Sequence, residues 1–177
     1  MIKIGICLPT GCYLDYLGYL FPRDPESGDY AVSSVTDFGK LLIAYAKVSD
    51  KPVRMPEDSR DSRTVTLSLP LTDISQDLQN KFLYYTKGDT ARLQAVLRSQ
   101  FNQDFIAYYL TGLVMGAKKK DIIEMFIVSR NLTSVDPYEA LHKRAYRIEQ
   151  QKMQAVYRKL LRKANYFQES LNVEGLI

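Results

Sequence analysis

Seven cations stand out as residues whose type and spacing could do chemistry: Lys118, Lys119 and Lys120 in one run, then Arg144, Arg147, Arg158 and Arg162. Projected on a helix, the four Arg fall within a sector of roughly 60°, with Gln151 and Gln154 beside them. Ordinary solvated helix faces intersperse both signs, because opposite charges at i,i+4 support the helix. A stripe of one sign forgoes that support and repels itself, so it implies an anionic partner. Guanidinium groups bind phosphate bidentately, which makes duplex DNA the natural candidate; an acidic protein surface would serve as well.

The charge of the whole chain hides this arrangement. The 177 residues carry a net charge of +4, yet residues 1–110 hold 12 basic and 13 acidic side chains. Residues 118–163 hold 12 basic and 5 acidic. A solvated helix surface would also show such a run, so the geometric sorting of the Arg, not the count, carries the inference.

Other chemistry finds little material. Cys7 and Cys12 are the only cysteines and His142 the only histidine, too few for a structural zinc site, and the expectation is no metal and no cofactor. Neither a GxxxxGK[ST] loop nor a GxGxxG fingerprint is present. His142, flanked by Leu141 and Lys143, reads as a surface residue, and Asp58 and Asp61 lie in a polar stretch without a scaffold. Catalysis is therefore not expected. No stretch approaches the ~18 apolar residues that cross a bilayer, and the opening is too short for a signal peptide before Asp15. A cytoplasmic protein, or a virion component, is the expectation.

The elements that must position the cations follow from periodicity. Alternation predicts a strand over Ile2–Ile6 and a clear one over Thr64–Leu69. Tyr13, Tyr16, Leu17 and Leu20 predict a short helix stopped by Pro22. Asp37 could cap a helix with Phe38, Leu41, Leu42 and Tyr45 inward, although a strand through Leu41–Val48 competes. Residues 49–63 are the most polar segment and read as a loop. A helix from Thr72 to about Lys87 would bury Ile74, Leu78, Phe82 and Tyr85, with Gly88 closing it. Asp89 would cap the next, which Gly116 breaks; Lys118–Arg130 forms another, and Asp136-Pro137 with Glu139 starts one running to about Phe167. In that long helix Leu141, Ile148, Val156, Leu160 and Phe167 fall away from the Arg sector, with Met153 beside them.

The fold class expected is mainly α (α+β): a helical bundle with a long basic C-terminal helix and a small β element from the N-terminal third. Its parts are residues 1–70, α/β, and 71–177, helical, together one compact unit. Leu110–Met125 has the layout of a helix-turn-helix. Gly112 suits a close helix crossing, Gly116 the turn, and Ile122 and Met125 the anchoring of the second helix, whose start carries Lys118–Lys120. A corner inside a bundle would share that spacing.

Two functions follow as expectations. The first is a non-enzymatic DNA-binding protein of helix-turn-helix type, a regulator or a phage or mobile-element protein. The second is a structural or assembly protein of a virion or other homo-oligomeric complex. The second rests on the polar loop, the over-long helix and the apolar tail Leu171–Ile177.

Overall fold

A computed structural model of the chain describes residues 2–54, 57–58, 61–70, 81–134 and 137–174, with side chains of the last helix described through Ala155 and at 158–163. The order is β1 (Ile2–Pro9), α1 (Cys12–Leu20), β2 (Tyr30–Ala31), α2 (Asp37–Tyr45), β3 (Lys47–Ser49), β4 (Ser62–Leu69), β5 (Phe82–Tyr84), α3 (Lys87–Val114), α4 (Lys119–Ser129) and α5 (Pro137–Glu174). The fold is mixed α+β, with a small mixed sheet.

In that sheet β4 is central. β1 pairs with it antiparallel from Ile2↔Leu69 to Pro9↔Ser62, and β2 adds to its other edge in parallel. Alternation along β1 sends Ile4, Ile6 and Leu8 into the core, as a half-buried strand requires.

α3 is the helix around which the rest packs. Leu93, Leu97, Phe101, Phe105 and Tyr109 recur every four residues, and all are buried. Their stripe meets α1, α2, α4 and β1. The packing is aromatic: Phe101 stands edge-on to Tyr13, Tyr16 and Phe126, and Phe105 edge-on to Phe126. Gln94 adds a polar tie, its Nε2 donating to the Cys7 carbonyl at 2.8 Å.

Several sequence expectations are corrected here. The helix expected through Lys87 is absent over its described part, because Phe82–Tyr84 instead pairs antiparallel with Lys47–Ser49. An aromatic run suits a pleated strand, and the four-residue recurrence of apolar groups did not distinguish the two. The remainder of that helix, residues 72–80, lies outside the described residues. Gly88 opens α3 instead of closing a helix. Thr86, not Asp89, is the cap: its Oγ accepts from the Asp89 N–H at 3.2 Å, and Asp89 returns the bond to the Thr86 N–H, completing a capping box. Likewise Thr36, not Asp37, caps α2. A cap by Asp136 lies outside the described residues, as do residues 175–177 of the tail, the side chains of 171–174 and part of the loop at 49–63.

The chain divides into two compact units, Met1–Pro137 and Tyr138–Ile177. Within the first unit the apolar stripe of α3 is covered by α1, α2 and β1 from the first 70 residues and by α4. The second unit is α5, 38 residues or about 57 Å of continuous helix.

Candidate nucleic-acid interface

The first group of cations sits at the corner between α3 and α4. α3 ends in a Schellman arrangement: Gly116 takes φ +78°, its N–H reaches the Leu113 carbonyl, and the Ala117 N–H reaches Gly112. Gly112 is where the helices touch. A Cβ built there would lie 2.7 Å from Cγ1 of Ile122, so the close crossing suits glycine and an added methyl would press on that side chain.

Lys118 occupies the cap position of α4, and Lys119 and Lys120 its first turn; all three are exposed. Lys120 pairs with Glu124 at 3.6 Å on the same helix. The inward face of α4 is Ile122, Ile123 and Phe126. Met125, expected to pin this helix, is exposed. It lies on the far side of Ile122 from Ile123 and Phe126, which together set the buried direction. The outward positions thus present Asp121, Glu124, Met125 and Val128 beside the lysines.

Beside the corner, Ala107, Thr111, Gly112, Met115, Ile122 and Met125 line an apolar groove of about 480 Å³. Val114 and Met115 at the end of α3, and Met125 and Val128 along α4, are exposed.

The second group lies on α5. Arg147, Arg158 and Arg162 are exposed and Arg144 is half-buried. Among the described residues no carboxylate pairs with Arg147, Arg158 or Arg162. Gln151 and Gln154 are exposed. From Arg144 to Arg162 the stripe runs about 27 Å along the axis. His142 is exposed and stacks on Tyr138, ring centroids 5.9 Å apart.

No protein-family model, curated protein or solved structure matches the chain. The residues alone therefore carry the functional reading. Cys7 and Cys12 are free, half-buried thiols, Cys7 donating to Ser62 Oγ at 3.0 Å. Among the described residues no three His, Cys, Asp or Glu stand together to hold a metal ion. No described helix is long and apolar enough to cross a membrane.

Sequence reasoning passed over Arg130. It bonds Asp104 and lies 4.4 Å above the Tyr19 ring, tying α1, α3 and the end of α4 together. A lone Arg among exposed-looking residues gave no local signal; the partners are 26 and 111 positions away.

Proposed function

We propose that the protein is a non-enzymatic DNA-binding protein that grips duplex DNA by its phosphates. One observation carries the reading: Arg147, Arg158 and Arg162 are exposed, share a sector of α5 with Arg144, and meet no carboxylate among the described residues. Arg side chains on such a stripe reach successive phosphates, and Gln151 and Gln154 add neutral donors. The α3–α4 corner, with helix-turn-helix spacing, contributes Lys118–Lys120 as further phosphate contacts. Asp121 and Glu124 on the outward side of α4 oppose its deep insertion in a groove, so this helix positions the protein and does not read bases. A regulatory role, or one in a phage or mobile element, fits a module of this size.

Titration onto duplex DNA at rising salt tests the proposal. Binding is expected at low salt and weakens on a log–log slope of about −3 where the Arg of α5 alone neutralise phosphates, steepening toward about −6 where Lys118–Lys120 join them. Charge reversal at Arg158 and Arg162 together lowers both affinity and slope. Absence of binding at low salt overturns the reading.

A second reading, a structural or assembly protein of a virion or other oligomeric complex, is favoured by the apolar groove beside the α3–α4 corner. Met115 and Met125, both exposed and lining the same groove, make an apolar surface of the kind that marks a contact site. Substituting Lys for Met115 and Met125 would abolish higher-order assembly under that reading and leave DNA binding intact.

A further inference from the structure

From Gln151 to Lys163, α5 is open on every side: each side chain described there is exposed, with Met153 at 73%, Leu160 at 58% and Leu161 at 44%. This stretch, about 20 Å of helix, holds five basic and no acidic side chains. On the helical projection Met153, Leu160 and Leu161 share an arc of about 100°, and the sequence adds Val156 and Tyr157, widening it to about 140°. No polar residue of the stretch falls inside that arc. Lys163, Lys152 and Lys159 follow within about 60° of one margin, Gln154 stands at the other, and Arg158 and Arg162 lie on the far side. Glu149 and Gln150 would fall within the arc, so they end the stretch on its N-terminal side. Beyond Lys163 the sequence carries the arc on through Ala164 and Phe167.

We propose that this stretch of α5 lies flat on an anionic lipid bilayer, its apolar arc just below the headgroups. Charge complementarity names the occupant. Nucleic acid satisfies the cations but leaves the apolar arc in water. A second copy would set the basic stretch against itself wherever the two arcs coincide. A surface that is anionic outside and hydrocarbon beneath meets both sides of the helix at once. An acidic protein groove joins the same two chemistries, yet its carboxylates contact cations at both rims of the arc, and here one rim carries Gln154 instead of a cation. The potential of an anionic leaflet is not directional in this way, and it acts on every cation within a Debye length of about 8–10 Å. Lys152, Lys159 and Lys163 stand where their stems can run along the acyl boundary and leave the ammonium groups among lipid phosphates. Arg158 and Arg162 stay on the water side, so the proposal does not rest on nucleic-acid binding.

Sedimentation of the full chain with vesicles, in the absence of DNA, tests it. The chain is expected to bind vesicles of phosphatidylcholine mixed with phosphatidylglycerol, to stay in solution with phosphatidylcholine alone, and to be released by high salt. Lys152→Gln with Lys159→Gln lowers the partition coefficient by about 25-fold, about fivefold per cation. Met153→Gln with Leu160→Gln, which leaves the charge unchanged, lowers it by about tenfold or more and does not alter DNA affinity. All four positions are exposed, and circular dichroism reports that the helix is kept. Three results overturn the proposal: vesicle binding unchanged by Met153→Gln with Leu160→Gln, no preference for the anionic vesicles, or capture by immobilised polyglutamate without binding to vesicles.

Discussion

Arg130 holds Asp104 by two parallel hydrogen bonds, Nε to Oδ2 at 2.8 Å and Nη2 to Oδ1 at 3.0 Å. Both side chains are largely withdrawn from solvent, and the guanidinium lies over Tyr19 and against Phe126. The pair is a clamp on the α1–α3–α4 junction. The Tyr16 hydroxyl beside it has its pKa pushed up, first by burial and then by the charge of Asp104. Arg130→Met keeps the packing volume but leaves Asp104 half-buried without its fork. Such a loss costs about 1–3 kcal/mol, discounted from the fully buried case because both groups retain some water contact. Chemical denaturation of the two proteins measures it, and a midpoint unchanged by the substitution contradicts the clamp.

Two glycines should respond differently to alanine. At Gly112 the added methyl meets Ile122, a buried side chain that can give slightly. At Gly39 it would lie 1.8 Å from the backbone oxygen of Ser33, which cannot give without moving the loop that caps α2. Overpacking costs about 1–3 kcal/mol and occasionally more, against a helix-propensity gain of up to ~1 kcal/mol for Gly→Ala. Gly112→Ala therefore falls at or below the low end and Gly39→Ala at or above the high end. Thermal melts of the two variants give the order; equal losses would contradict the geometry.

Asp89 makes stability depend on acid. Its hydrogen bond with Thr86 lowers the carboxyl pKa below the ordinary 3.8, and Lys47 at 3.3 Å lowers it further. A carboxylate with a depressed folded-state pKa contributes stability that is present above 3.8 and lost as pH falls through the folded value. Asp89→Asn should flatten that part of the stability–pH curve below about pH 4 and lower the plateau above it. Denaturation midpoints between acid and neutral pH report both effects.

Asp15 organises the turn after α4. Its Oδ2 accepts from the Thr133 N–H at 2.9 Å and the Ser134 N–H at 2.7 Å. Asp15→Ala leaves two backbone donors to water and frees residues 131–134, at a cost of about 1–2 kcal/mol for charge-assisted bonds in a partly exposed setting. Hydrogen exchange at Thr133 and Ser134 should accelerate strongly while amides of α3 hold their protection. Unchanged exchange at those two amides would contradict the role assigned to Asp15.

Much of the local structure was legible because its causes are local. Alternation in Thr64–Leu69 became β4, Pro22 follows the end of α1, and the spacing of Gly112 and Gly116 matched a real close approach and a real positive φ. Exposure of Lys118–Lys120, Arg147, Arg158 and Arg162 agrees with their placement on polar helix faces. What failed was non-local. Phe82–Tyr84 could not be read as a strand, because its partner Lys47–Ser49 lies 33 or more positions earlier and a helical period fitted equally well.

The sequence by itself determined where the chain turns, which helix faces are apolar, and that the Arg of α5 share one side, since each depends on residue type and helical spacing. Only the tertiary structure decided what those faces meet. It joined the first 70 residues to α3 and α4 in one core, left α5 a unit of its own with Tyr146, Met153 and Leu160 exposed, and brought Arg130 to Asp104. Those outcomes depend on which distant surfaces fit one another, a matter of shape and competing contacts that no periodicity records.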